Sequence, residues 1–286
     1  MTKEILAPAK INLYLDVTGK RHDGYHNIKS VMQTVSLFDK VTVTEDTEIS
    51  VSCTDKTLPT DNNNLAYKAA SLFFFETGIK GGAKISIEKN IPVAGGLAGG
   101  STDGAAVLTA LNSIYDNVLS DERLMSLGAR LGADVPFCIA QGCALCEGIG
   151  EIITPIESKL ALNIVIAKGG ESVSTPEAYR LIDEQFDKGL IYRHGNASAV
   201  LEAVRTGNTA ELLRHAYNIF EEVILPRHSC AAKIKEEMYK NGAVFAMMSG
   251  SGPSVFGVFE NEASACLAAQ YLRSLGYTAA SCKTVY

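Results

Sequence analysis

Three stretches of this 286-residue chain gather residue types suited to handling an anion and moving a proton. The first is Ile91-Pro92-Val93-Ala94-Gly95-Gly96-Leu97-Ala98-Gly99-Gly100-Ser101-Thr102-Asp103, with four glycines in six positions between a strand-like and a helix-like segment. Backbone bare of side chains lets amide N–H groups converge on an anion, and a helix that follows adds the partial positive charge of its N-terminus. Ser101 and Thr102 bring hydroxyls that either touch a phosphate or cap the helix. The same glycines suit a tight turn with close backbone packing, and both readings stand. Spacing does exclude the common labels. There is no G-x-x-x-x-G-K-[ST] and no G-x-G-x-x-G, so this is neither a Walker A loop nor a dinucleotide or protein-kinase loop.

The second stretch, Met248-Ser249-Gly250-Ser251-Gly252-Pro253-Ser254, lies between two strand-like segments, and its small residues allow close approach by a ligand or another loop. In the third, Pro8-Ala9-Lys10-Ile11-Asn12, alternation puts a lysine and an amide on one face of an apolar strand, at an edge in water or at a site. Asp134, in Gly-Ala-Asp-Val-Pro, reads as a turn or cap residue or as a placed carboxylate. Tyr25-His26, after Asp23-Gly24, reads as a hairpin flank.

The elements that position these residues follow from periodicity. Residues 5–18, 31–44, 48–53 and 83–91 are expected as strands, the last alternating strictly. Helices are expected at 63–77, 102–115 and 121–132, the last capped by Ser120. Strands at 136–147, 151–157 and 161–168 come next, then helices at 175–187, 196–206, 209–217 and 228–240. Strands at 243–248, 254–259 and 278–285, with a helix at 261–274, give the second half a split β-α-β character with extra helices.

Composition narrows the classes. Hydrophobic residues make up 47% and charged residues 20%, an ordinary globular balance, and the length suits two domains or one large one with ample core. No apolar run approaches the ~20 residues of a membrane span, and the N-terminus lacks the features of a cleaved signal, so a cytoplasmic protein with no membrane partner is expected. The net charge is −6, with no basic stripe carrying interleaved aromatics, which argues against nucleic acid and leaves anion binding to backbone amides and a few placed cations. Seven scattered cysteines include Cys143-Ala-Leu-Cys146, with no second pair to complete a zinc site; they read as small core residues. His22, His194, His215 and His228 read as surface residues, and Glu221-Glu222 as a solvated helix face. Oligomeric state stays open between a monomer and a weak homodimer.

The three stretches, in this order, resemble the three motifs of the GHMP kinases, the superfamily of galactokinase, homoserine kinase, mevalonate kinase and phosphomevalonate kinase. PAKINLYLDVTGKRHDGYH, GGLAGGSTD, LGADVPF and MSGSGPSVFGVF narrow the resemblance to the 4-diphosphocytidyl-2-C-methyl-D-erythritol kinases of the methylerythritol phosphate route to isoprenoids, over nearly the whole chain. The resemblance implies an α+β, two-domain GHMP kinase fold. Residues 1–156 would form a ribosomal protein S5 domain 2-like domain for ATP binding and catalysis, and 157–286 a ferredoxin-like domain for substrate. The implied reaction is ATP-dependent phosphorylation of the 2-hydroxyl of a cytidine diphosphate-linked polyol, with Mg2+ as the nucleotide's counter-ion and no protein ligand assigned to it.

Residue by residue, Pro92, Val93, Ala94, Gly95, Gly96, Leu97, Ala98, Gly99, Gly100, Ser101 and Thr102 match the ATP-phosphate loop. Lys10 and Asp134 match the catalytic pair: Asp134 takes or orients the hydroxyl proton, and Lys10 stabilises charge on the attacking oxygen. Asn12 would hold substrate near the reacting centre. Tyr25 and His26 match the cytidine pocket, Pro176 and Tyr179 its other wall, and Asn63, Asn64 and Leu65 part of the adenine pocket. The chain departs from the family's usual loop at Ala98, where glycine is common, at Thr102 for serine and at Gly104 for alanine; Ala98 matters if that position needs a positive φ. Other readings are a homoserine- or mevalonate-type kinase and a non-catalytic nucleotide-binding protein on the same scaffold. The presence of both Lys10 and Asp134 speaks against the last.

Overall fold

The structure, a computed structural model, describes residues 1–188 and 194–286. These fall into two compact units, each discontinuous in sequence: 1–9, 38–93 and 98–141 in the first, and 10–37, 94–97 and 142–286 in the second. Two long strands, β1 (Thr2–Lys20) and β2 (His26–Asp46), contribute to both.

The first unit adds β3 (Ser50–Cys53), α1 (Leu65–Thr77), β4 (Gly82–Glu88), α2 (Gly99–Ile114), α3 (Asp121–Leu131) and α4 (Val135–Ala140). β4 runs antiparallel to the far half of β2 and parallel to β3, so Ile85 lies opposite Val43 on one side and Val51 on the other. Strict alternation sends Ala83, Ile85 and Ile87 inward and leaves Lys84, Ser86 and Glu88 exposed. The inward set meets Phe73 of α1 and Leu108 and Leu111 of α2 in one core. Burying side chains of this size stabilises by about 1.5–3 kcal/mol each, which fixes α2, and with it the end of the glycine stretch, against the sheet. Asn64 caps α1 and Ser120 caps α3, the latter as its sequence implies.

α4 is a correction. The run 136–147 was expected as one strand, but Val135–Ala140 is helical and only Cys143–Glu147 is extended. An apolar run carries no period that separates the two, and the break falls at Gln141-Gly142, both at positive φ (57° and 70°).

To its parts of β1 and β2 the second unit adds that strand, β5 (Cys143–Glu147), which pairs with the near half of β2, Val31 opposite Leu145, and turns into β6 (Ile152–Pro155). It continues through β7 (Asn163–Lys168), α5 (Thr175–Asp187), α6 (Ala197–Thr206), α7 (Thr209–His215), β8 (Tyr217–Asn218) and α8 (Glu221–Ile224). α9 (Ser229–Lys240), β9 (Phe245–Met248), β10 (Val255–Phe259), α10 (Glu262–Ser274) and β11 (Thr278–Lys283) complete it. The last strands form an antiparallel sheet in the order β11-β7-β10-β9, with Ile234 and Met238 of α9 and Leu272 of α10 packed on Val165 and Phe259. Read as β7-α9-β9-β10-α10-β11, this is the ferredoxin-like arrangement expected of the C-terminal half. α5 and α8 are extra helices. They close a second core of Leu15, Ile28, Ile182, Phe220 and Met248 over β1, beside which β8 pairs in parallel, Tyr14 opposite Tyr217. β8 and α8 are too short for any period to announce them. No helix among the described residues is long and apolar enough to cross a membrane.

Candidate functional site

The glycine stretch divides into two parts with different physics. Ala94–Leu97 belong to the second unit, where Gly95 and Leu97 are buried and Ala94 is exposed. Gly96 sits at φ +75°, and a Cβ on it would collide with the carbonyl oxygen of Ser249. Ser249 Oγ donates to the Gly96 carbonyl at 3.1 Å, Ser254 N to the Gly95 carbonyl at 3.3 Å, and Lys10 N to the Leu97 carbonyl at 3.2 Å. This half is the close-packed turn.

The other half, in the first unit, is the start of α2. The helix begins at Gly99, three residues before the expected Thr102, so Ser101 and Thr102 lie inside the first turn and neither is its cap. The cap position is Ala98, at φ 60°, with no side chain bonded to the helix end. The first intrahelical bond runs from Thr102 N to Ala98 O at 2.8 Å, which leaves the amides of Gly99, Gly100 and Ser101 ahead of it, the usual orphan donors of a helix start. Gly100 is exposed and helical, and a Cβ there would meet nothing nearer than Leu65 Cδ1 at 3.6 Å. An uncapped helix N-terminus edged by bare backbone is a ready anion site. Leu65 also lies against Gly104, so the segment expected in the adenine pocket borders this helix end. Asn64 spends its side chain on structure: Oδ1 accepts from Ala66 N and Nδ2 donates to the Pro59 carbonyl. Asn63 is exposed, bonded to Asp61.

In the second unit Lys10 and Asn12 share a face of β1, as alternation requires, but that face is buried rather than wet. They are 4% and 1% exposed, and the loop that carries Gly250 lies against Asn12. Lys10 Nζ donates to Asn12 Oδ1 at 2.8 Å, Asn12 Nδ2 donates to Ser30 Oγ at 2.8 Å, and Gly250 N donates to Asn12 Oδ1 at 3.0 Å. Asn218 Nδ2 holds the same loop through the Met248 and Gly250 carbonyls. Burying a lysine and an amide is expensive unless they are bonded, and here β1, the Ala94–Leu97 segment and the Ser249–Gly252 loop converge around them.

Ser251 Oγ lies 3.1 Å from Thr175 Oγ1 at the start of α5, which carries the proposed base-pocket wall. Tyr179 stacks on His26 with ring centroids 4.7 Å apart and 17° between planes, and presents its edge to Phe220 at 5.0 Å. Tyr25, next to His26 in the chain, is 60% exposed, and Pro176 is exposed on the first turn of α5. The structure adds Asp183: its Oδ1 lies 2.7 Å from His26 Nε2, and its Oδ2 accepts from Lys20 Nζ at 2.7 Å. Burial alone would raise the Asp183 carboxyl; Lys20 and His26 outweigh it and hold it below its ordinary value.

Asp134, in the first unit, occupies the N-cap position of α4, yet its carboxylate does not cap the helix. The cap reading therefore accounts for its place but not for its side chain. A further charged group went unforeseen. Lys89 Nζ donates to Asp39 Oδ2 and, at 2.7 Å, to Asp103 Oδ2, with all three side chains no more than 5% exposed. Burial and Asp39 raise the Asp103 carboxyl to about 7 against the pull of Lys89. The alternation of 83–91 had placed Lys89 on the inward face with Ile85 and Ile87, a signal of a buried cation. Glu221 also corrects expectation: it accepts from Lys235 Nζ at 2.8 Å and from Met248 N at 2.8 Å rather than lining a solvated face. His194, read as a partnerless surface residue, lies 2.9 Å from buried Asp16. Cys143 is buried in β5, with its thiol pushed up to about 12 by desolvation, which fits the core role.

Residues 64–142 match the family model of the GHMP kinases N terminal domain and 200–278 that of the GHMP kinases C terminal domain. The 4-diphosphocytidyl-2-C-methyl-D-erythritol kinase of Caldicellulosiruptor bescii is 45% identical over 272 residues, 94% of each chain. That of Clostridium perfringens is 45% identical over 93% of this chain and 92% of its own. A crystal structure of 4-(cytidine 5'-diphospho)-2C-methyl-D-erythritol kinase superposes with a TM-score of 0.83 at 33% identity, over 99% of this chain and 100% of that one. A homoserine kinase from Cytophaga hutchinsonii, 17% identical with a TM-score of 0.72 over 99% of this chain and 94% of its own, shares the fold. The chain therefore belongs to the 4-diphosphocytidyl-2-C-methyl-D-erythritol kinase family, within the GHMP kinases.

Proposed function

We propose that this kinase transfers the γ-phosphoryl group of ATP to the 2-hydroxyl of 4-diphosphocytidyl-2-C-methyl-D-erythritol, in the methylerythritol phosphate route of isoprenoid biosynthesis. The observation that carries the phosphate half of the reading is the uncapped start of α2, where the Gly99, Gly100 and Ser101 amides precede the first helical bond. Family membership carries the substrate half.

Phosphoryl transfer is mostly positioning and charge stabilisation, so few groups are required. Asp134 is assigned the hydroxyl proton, Lys10 the charge developing on the attacking oxygen, and Asn12 the substrate near the reacting centre. Tyr25, with Pro176 and Tyr179, is assigned the cytosine face, and His26 a ring-nitrogen contact to the base. Asn63, Asn64 and Leu65 are assigned part of the adenine pocket, Leu65 best supported by its place beside Gly100. We assign ATP binding and catalysis to 1–156 and most of the substrate site to 157–286, with Tyr25 and His26 supplied by the former. A magnesium ion of this kind is held largely by substrate phosphates with one or two protein ligands. It is assigned as the nucleotide's counter-ion, with no protein ligand named. The protein is placed in the cytoplasm.

The test is ATP turnover on the cytidine diphosphate-linked substrate, with homoserine and mevalonate as alternative acceptors. Asp134→Asn and Lys10→Ala should each lower kcat by about a hundredfold or more. Full activity in Asp134→Asn, or turnover on homoserine or mevalonate instead, refutes the assignment.

A further inference from the structure

The Lys89–Asp39–Asp103 cluster lies directly under the glycine stretch and has no part in the chemistry above. Its bonds run to both ends of the loop. On the strand side, Asp39 Oδ1 accepts from the backbone N–H of Asn90 at 2.6 Å and of Ile91 at 2.9 Å, while its other oxygen takes Lys89 Nζ. On the helix side, Lys89 Nζ reaches Asp103 Oδ2 at 2.7 Å, in the second turn of α2. A Cβ built on Gly99 would stand 3.3 Å from Lys89 Nζ and 3.3 Å from Ile91 Cγ2, so the ammonium rests against the first residue of the helix.

Stability does not explain such a group. One cation between two carboxylates, nearly out of water, is a buried ionic cluster with an excess negative charge, and packed apolar side chains of similar volume commonly do as well or better. The strain shows in Asp103, whose Oδ1 is buried without a hydrogen-bond partner among the described residues. What an ionic cluster supplies that a greasy one does not is direction: charge-assisted bonds hold the entry strand and the helix start at fixed distances. Catalysis by pre-placed amides depends on that precision, since positional errors of about 1 Å can cost about a hundredfold in rate.

We propose that Lys89, Asp39 and Asp103 are positioning residues that clamp the two ends of the glycine loop and so hold the Gly99–Ser101 amides in register for the nucleotide's phosphates. The inference rests on the reading of that loop as the ATP-phosphate site. Asp103→Ala tests it with little risk to folding, because it leaves Lys89 and Asp39 as a matched pair. Its KM for ATP should rise about tenfold or more while the KM for the cytidine substrate stays within about twofold. Asp103→Asn, whose amide oxygen still accepts from Lys89, should recover most of that loss. Asp103→Ser, too short to reach Lys89, gives the same reading as alanine if alanine does not fold. An unchanged KM for ATP in Asp103→Ala, or a rise of both KM values together, overturns the clamp. Gly100→Ala separates the two readings. If it weakens ATP and Asp103→Ala does not, the clamp fails and the loop assignment stands; if neither weakens ATP, the loop assignment fails as well.

Discussion

Adding one methyl group at Gly96 or at Gly100 should have opposite effects on stability and on ATP. At Gly96 a Cβ would collide with the Ser249 carbonyl, and φ is +75°. The left-handed backbone alone costs an alanine about 1–2 kcal/mol, and two backbone segments cannot both relax. Gly96→Ala should therefore destabilise the free protein, and any loss of activity would follow from folding. At Gly100 the backbone is helical and the nearest atom to a Cβ is Leu65 Cδ1 at 3.6 Å, an ordinary contact. Alanine in a helix is favoured over glycine by about 0.5–1 kcal/mol. For domains of this size that raises Tm by about 2–4 °C per kcal/mol. The same methyl projects from the amide row assigned to phosphate. Loss of one charge-assisted hydrogen bond is worth about 1.5–3 kcal/mol, or about ten- to a hundredfold in affinity. Thermal melting without ligand, followed by titration with a non-hydrolysable ATP analogue, reads both quantities on one sample. A Gly100→Ala protein that is as stable as the parent and binds the analogue with unchanged affinity would refute the assignment of phosphate to the start of α2.

Three further outcomes follow from the same geometry. Ala98→Gly should raise stability by about 0.5–1 kcal/mol, because Ala98 sits at φ 60° where glycine is unstrained, and melting should show it without a loss of ATP turnover; a lower Tm would refute the strain. Asp103 is harder to ionise in the folded chain, at about 7, than in an unfolded one, at about 4, so the folded state binds the proton more tightly and stability falls as pH rises between those values. Asp103→Asn cannot ionise, so its stability relative to the parent should improve by a few kcal/mol at most from about pH 5 to about pH 8; a flat or shrinking difference refutes the direction. CMP or CDP should compete with the cytidine substrate, and Tyr25→Ala should raise that substrate's KM about tenfold, since stacking of one base is worth about 1–3 kcal/mol; no competition by cytidine nucleotides would count against the base pocket.

Much of the frame was legible from periodicity. The strict alternation of 83–91 foretold which face of β4 is buried, and Ser120 foretold the start of α3, because both are local facts of side-chain direction and hydrogen bonding. The errors have local causes too. The 136–140 segment is apolar throughout, so it lacks the period that tells helix from strand, and the start of α2 at Gly99 was missed because no cap residue marks it. Glu221 was misread, and the partner of the exposed His194 was missed, because Lys235 and Asp16 are brought to them by the fold.

By itself the sequence determined the inventory: four glycines ahead of a helix, a lysine and an asparagine two apart on a strand, an aspartate before a short apolar run, and the motif order that marks the family. Residue type and spacing along one strand or helix turn suffice for these. Whether the glycines served packing or an anion could not be read there, since that depends on what stands opposite each missing Cβ. Tertiary structure separates the two halves of the stretch: the Ser249 carbonyl stands against Gly96, while a Cβ at Gly100 would meet nothing nearer than Leu65 Cδ1 at 3.6 Å. It also decided the pairing of Lys89 with Asp39 and Asp103, and of His26 with Asp183, contacts up to 157 positions apart in the chain. Electrostatic and steric partners are set by distance in space, and only the packing of strands and helices fixes that distance.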